Sequence, residues 1–156
     1  MKVCGIDPGL TGGLAFLEKK IINVHKVPIY NITKNAKRKK MLNTWQIISL
    51  MEENEPDHVY IEKQQAMPKQ GLSSTFITGF NYGIYIGLLI GLCIPFTEVS
   101  PRTWKKALSV SADKDEARKR ASELMPNGSE LWPNKSDDGL AEAALIAYWG
   151  VSGFSS

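Results

Sequence analysis

The stretch Val3-Cys4-Gly5-Ile6-Asp7-Pro8-Gly9-Leu10-Thr11-Gly12-Gly13-Leu14-Ala15-Phe16 limits what this chain can fold into. An apolar run ends on a carboxylate, a Pro-Gly turn and two further glycines follow, and a second apolar run begins. The pattern reads as strand, tight turn and antiparallel strand. A carboxylate where the first strand gives out opposes strand propensity. Asp7 is either a turn opener or a metal- or phosphate-site residue at the end of a buried central strand, and the rest of the chain has to decide between them.

Three strands are expected first: Lys2 to Asp7, Gly13 to Glu18 and Ile21 to Val27, the last two joined by a Lys19-Lys20 turn. Asn31 to Lys40 reads as a polar loop. It carries Lys34, Lys37, Arg38, Lys39 and Lys40 without an acid, either a solvated run or a phosphate contact. Leu42, Trp45, Ile47, Ile48 and Met51 recur at helical spacing, so Met41 to Glu53 is an amphipathic helix. Asp57 to Glu62 is a fourth strand that also ends on a carboxylate. A helix between strands three and four lets strand four run parallel to strand one. Asp7 and Glu62 then leave the sheet at one edge, the carboxyl edge where sites form in α/β sheets.

Downstream, Lys63 to Leu72 is a loop, and Ser73 and Ser74 are candidate caps for a helix from Ser74 to Leu92. Phe76 to Phe96 holds no charge and is long enough to span a bilayer, with Gly79, Gly83, Gly87 and Gly91 at a spacing of four. Thr78, Asn81, Tyr82 and Pro95 favour a buried helix instead. The glycine stripe is expected on the chain's own sheet or against a symmetry mate, with Phe80, Ile84 and Leu88 covered by a homodimer. Pro95 to Val99 is a fifth strand, and Ser100-Pro101 starts a short helix with serine capping. A helix from Asp113 to Met125 and a last one from about Asp137 to Trp149 complete the order.

Asp138 and Glu142 share one face of that last helix. They either complement the helix dipole, with Asp137 as cap, or join Asp7 and Glu62. A cluster of three or four carboxylates repels itself unless cations neutralise it. Oxygen-only ligation suits Mg²⁺ or Mn²⁺, and two such ions can clamp the attacking and leaving oxygens of a phosphodiester. The net charge of +3 points weakly to an anionic partner. Cys4 and Cys93 read as a buried reduced pair, and His25 and His58 as packing residues. The first apolar run is too short for a signal peptide.

Four motifs resemble the RuvC-like Holliday junction resolvases of the ribonuclease H-like superfamily, most of all their phage-encoded branch. They are Gly5-Ile6-Asp7-Pro8-Gly9; Ile61-Glu62 with Ala66-Met67-Pro68 and Gln70-Gly71; Pro101-Arg102-Thr103-Trp104-Lys105-Lys106 followed by Lys114; and Asp138 to Ala147. The resemblance implies one nuclease domain over residues 1–156, α/β, with a five-stranded mixed sheet (three antiparallel strands, then two parallel) flanked by helices. It implies that Asp7, Glu62, Asp138 and Glu142 bind Mg²⁺, with Mn²⁺ as substitute and two ions per site. Lys105 and Lys114 would be catalytic cations, and Lys63, Lys69, Arg102, Lys105, Lys106, Lys114 and Arg118 would contact DNA. Implied partners are branched DNA and a second copy through the Ser74–Leu92 helix, in a bacterial or phage-infected cytoplasm and away from membranes. Two departures stand out. Asp138 and Glu142 are four apart where the family has three, which leaves Asp137 as a rival ligand. Gln64 and Gln65 lie where bacterial members carry an aromatic wedge. Two other readings remain: a non-cutting DNA-binding protein on the same fold, and an ATP-binding protein of the sugar-kinase and actin type, whose phosphate loop resembles Asp7 to Gly13.

Overall fold

The computed structural model describes residues 1–153 apart from 35 and 112, and only the backbone of Lys34, Lys37 and Lys114. Among the described residues, seven strands and five α-helices run in the order β1 (Lys2–Asp7), β2 (Gly13–Glu18), β3 (Ile21–Lys26), β4 (Ile29–Lys34), β5 (Lys37–Leu42), α1 (Thr44–Asn54), β6 (His58–Glu62), α2 (Leu72–Gly91), β7 (Phe96–Val99), α3 (Pro101–Ala107), α4 (Lys114–Leu124) and α5 (Asp138–Val151). Five strands form the main sheet in the order β3-β2-β1-β6-β7. β1 is antiparallel to β2 and parallel to β6, and β6 is parallel to β7. The expected three antiparallel and two parallel strands are present.

The alternation of β1 and β2 sends side chains to two cores. Val3, Ala15 and Leu17 face α3, α4 and α5, together with Trp104, Ala121 and the small residues Ala143, Ala144 and Ala147. Cys4, Ile6, Leu14 and Phe16 face α1 and α2, together with Ile47, Met51, Tyr85 and Leu89. α5 lies very close to the sheet, because glycine makes room for it. A Cβ on Gly5 would stand 2.2 Å from the Ala143 carbonyl oxygen, and one on Gly139 would stand 2.4 Å from the Thr11 carbonyl oxygen. The Gly12 and Gly139 backbones form an isolated parallel bridge. α3 starts as expected, with Ser100 Oγ accepting from the Thr103 amide at 3.1 Å.

Four expectations need correction. Residues expected as a polar loop over Asn31 to Lys40 form the hairpin of β4 and β5, a separate two-stranded sheet. Its turn is tight, with Ala36 at φ 59°. α2 starts at Leu72, not Ser74; Gly71 holds the N-cap position and no side chain caps it, so Ser73 and Ser74 lie inside the first turn. The glycine stripe does not pack on the sheet: a Cβ at Gly79, Gly83, Gly87 or Gly91 would meet nothing within 4 Å. The buried line of α2 is Asn81, Tyr85 and Leu89. Cys93 is exposed, so it forms no buried pair with Cys4. His58 and His25 pack as expected, His58 Nε2 lying 2.9 Å from Thr97 Oγ1 and His25 edge-on to Phe16. Among the described residues no helix is long and apolar enough to cross a membrane.

Candidate active site

Register brings the two strand-end acids together. Ile6 pairs with Ile61 across the parallel β1–β6 ladder, so Asp7 and Glu62 follow it out of the same edge on neighbouring strands. β7 ends beside Glu62 at Val99, and α3 begins two residues later, which sets Trp104 and Lys105 above that edge. The bridge between Gly12 and Gly139 docks the first turn of α5 on the β1–β2 turn, and Glu142 lies one turn further along. A cleft of about 250 Å³ is lined by Asp7, Thr11, Lys135, Asp138 and Glu142. A larger cleft of about 460 Å³, lined by Lys19, Lys20, Met125 and Tyr148, lies at the other end of the sheet and carries no carboxylate.

Asp7 is held by its own turn, Oδ1 accepting from the Gly9 amide at 3.2 Å. Burial, and then the charges of Glu142 and Glu62, push its carboxyl up to about 7. Burial also raises Glu62, against the opposing pull of the Trp104 hydrogen bond. Trp104 Nε1 donates to Glu62 Oε2 at 2.8 Å, and Gln64 Nε2 donates to Oε1 at 3.3 Å. Lys105 Nζ lies 2.7 Å from Glu142 Oε1, and its ammonium is 5.1 Å from the Trp104 ring centroid. Lys105 thus faces mutually repelling acids, its charge opposing the rise of both Asp7 and Glu62.

The helix-face acids divide. Asp137 is structural: Lys26 Nζ reaches its Oδ1 at 2.8 Å, while the Asn134 amide and Nδ2 donate to Oδ2 at 3.0 and 3.1 Å. Lys26 holds its carboxyl below the ordinary range. Asp138 lines the cleft but pairs with Arg118, whose Nε stands 2.9 Å from Oδ1 as an ion pair without hydrogen-bond alignment. Arg118 is also bound to Asp115. Arg118, expected to contact DNA, is thus engaged by two carboxylates of its own chain. Lys63, Lys69, Arg102 and Lys106 are exposed around the site. The Lys114 side chain, and with it the role expected of it, lies outside the described residues. Trp104 and Gln64 were not singled out as site residues. The one signal for Trp104 was an indole set inside a basic segment, and for Gln64 its place two residues after Glu62.

Among the described residues, no three His, Cys, Asp or Glu side chains stand close enough to grip one ion as they are. The donor chemistry still fits a hard divalent cation. Asp7 Oδ2 and Glu142 Oε2 accept no hydrogen bond among the described residues, and the charges of Glu142 and Glu62 add to burial in raising the Asp7 carboxyl.

This sheet, with its helices on both faces, is the ribonuclease H-like fold. Within that class, the chain has the fold of the RuvC-like Holliday junction resolvases. A structure of T. thermophilus RuvC in complex with Holliday junction substrate superposes with a TM-score of 0.65 at 18% identity, over 99% of this chain and 97% of that one. A second Thermus thermophilus RuvC structure gives 0.62 at 19% identity, over 98% and 97%. The yeast mitochondrial Holliday junction resolvase Ydc2 gives 0.50 at 16% identity, over 93% and 76%. In sequence, the chain is similar to the chloroplastic Holliday junction resolvase MOC1 of Chlamydomonas reinhardtii, 28% identical over 94 residues. That stretch is 59% of this chain and spans only 11% of the length of that relative. No family model matches.

Proposed function

We propose that the chain is a metal-dependent endonuclease that cuts branched DNA, such as Holliday junctions, by hydrolysing phosphodiesters in symmetric strands. One observation carries this reading: Asp7, Glu62 and Glu142, distant in sequence, meet at one sheet edge on a fold shared with RuvC. Asp7, Glu62 and Glu142, with Asp138 at the rim, would hold Mg²⁺ or Mn²⁺, two ions per site, which activate water and stabilise the leaving oxygen. Asp7 is fixed by the Gly9 amide, and Trp104 orients Glu62, so both acids present a set edge to the substrate. Lys105 balances Glu142 in the free protein and is placed to face a scissile phosphate. Lys63, Lys69, Arg102 and Lys106 would hold the backbone without reading bases, and Lys114 completes that set.

A second copy docks through the middle of α2, which leaves Phe80 at 50% exposure; a junction offers two equivalent strands, and a two-fold dimer offers two sites. Phe80→Glu with Ile84→Glu should halve the mass measured by sedimentation; an unchanged mass removes α2 from the interface.

The test of the chemistry is cleavage of labelled four-way and linear duplexes with Mg²⁺ or with EDTA. Cutting should be confined to the branched substrate and to Mg²⁺, and Asp7→Asn should abolish it while sparing binding. Full activity in EDTA or in Asp7→Asn overturns the reading. The alternative is a non-cutting junction-binding protein on the same fold; binding of junctions with no cleavage in Mg²⁺ or Mn²⁺ would select it.

A further inference from the structure

The hairpin of β4 and β5 is hydrogen-bonded to no strand of the main sheet. Its root is anchored. Leu42 is buried with Val27 and Ile47, and the Asn43 amide closes the base by donating to the Pro28 carbonyl at 2.8 Å. Beyond the root it stands in solvent: Tyr30, Asn31, Ile32 and Thr33 on one strand and Arg38, Lys39 and Lys40 on the other are all exposed. Register sets Thr33 opposite Arg38, Ile32 opposite Lys39 and Asn31 opposite Lys40. No carboxylate faces any of the three cations, and none of them joins an ion pair among the described residues. Two-stranded hairpins are marginal in water, and opposite charges across the ladder are a usual support. This arm lacks that support and gathers three like charges instead, an arrangement that a polyanion relieves.

Its position is the second observation. Lys39 lines a cleft of about 420 Å³ with Leu72, Phe76 and Ile77, on the first turns of α2. Ile77 also lines a neighbouring cleft of about 420 Å³ with Gly9, Gln64, Thr78 and Asn81. Gly9 and Gln64 are the residues that donate to Asp7 and Glu62. The two clefts therefore join the carboxylate edge to the basic strand across the start of α2, with hydroxyls and amides of Ser73, Ser74, Thr78, Asn81 and Gln64 set among apolar walls.

We propose that the β4–β5 hairpin is a DNA-binding arm: a strand leaving the carboxylate edge crosses the first turns of α2 and lays its phosphates on Arg38, Lys39 and Lys40. The inference rests on the reading of the chain as a protein that acts on DNA. It adds a contact on the side of the site away from α3. Each phosphate neutralised on duplex DNA contributes about 0.9 to the slope of log affinity against log salt.

The test measures binding of a fluorescent four-way junction across a salt series, in the full chain carrying Asp7→Asn to prevent cutting. Adding Arg38→Gln, Lys39→Gln and Lys40→Gln should lower the slope by up to about 2.7. Lys19→Gln with Lys20→Gln, at the opposite end of the sheet, should leave it unchanged. A second readout does not depend on the triple variant folding: with the exposed Cys93 replaced by Ser, a photocrosslinker on Lys39→Cys should capture junction DNA, and one on Lys19→Cys should not. Binding with an unaltered slope, or no capture from position 39, overturns the arm and leaves the DNA reading standing. No junction binding by the parent protein overturns the DNA reading and the arm with it.

Discussion

The two faces of the sheet use glycine in opposite ways. On the α5 face, Gly5 and Gly13 on the strands and Gly139 on the helix leave no room: a Cβ at any of them would collide with backbone, as one on Gly12 in the β1–β2 turn would with the Asp7 carbonyl. Close approach there buries α5 almost all round and sets Glu142 over the carboxylate edge. On the α2 face, four glycines at a spacing of four meet open space, and the helix is buried along one line only. Glycine in a helix interior costs about 0.5–1 kcal/mol relative to alanine. The α5 face recovers that cost inside the molecule. The α2 face shows no such return among the described residues.

The largest expected effect breaks the α5 face. Gly5→Val drives a side chain into the Ala143 carbonyl and the Ala147 amide, backbone that cannot rotate away, and should cost about 3 kcal/mol or more in denaturant unfolding. A variant as stable as the parent would show that α5 floats. The next lies at the edge the two faces share. Asp7 keeps its proton in the folded chain up to about 7, whereas the unfolded chain releases it near the ordinary carboxylate value of 3.8. Between those values the folded state binds more protons, so stability falls as pH rises and levels off above 7. Asp7→Asn removes that loss and should raise stability at pH 8 by roughly 1–3 kcal/mol, with no gain at pH 3.5. An equal gain at both pH values would deny the raised carboxyl.

On the α2 face, Gly83→Ala with Gly87→Ala should stabilise the monomer by about 1–2 kcal/mol in total. Loss of dimer mass in the same variant would mark the stripe as the line of contact between copies; unchanged mass would assign it to solvent. The smallest effect is Tyr85→Phe. The Tyr85 hydroxyl is buried without a hydrogen-bond partner among the described residues, so its removal should be neutral or stabilising by up to about 1 kcal/mol. A clear loss of stability would reveal a partner under α2.

Asp7, Glu62 and Glu142 were legible because acids at strand ends and on a helix face break local patterns, and a crossover helix aligns β1 with β6. The hairpin of β4 and β5 was not legible. Its turn uses Ala36 at a left-handed φ in place of a glycine, and its basic strand has the composition of a solvated loop. The role of Arg118 was hidden for a different reason. Its partner Asp138 lies twenty residues on, and only the packing of α4 on α5 brings them to 2.9 Å. The start of α2 was misplaced because serines suggest a cap, whereas here the extended Gly71 backbone opens the helix.

The indole of Trp104 is sealed from solvent while its N–H rests on a carboxylate of the candidate site. Trp45, by contrast, is 80% exposed and can be silenced with an external quencher. Trp132 and Trp149 are buried as well, so with both replaced by Phe and Trp45 quenched the remaining emission is that of Trp104: neutralising or displacing Glu62 shifts the field on that indole, and occupancy of the site can be followed without a label.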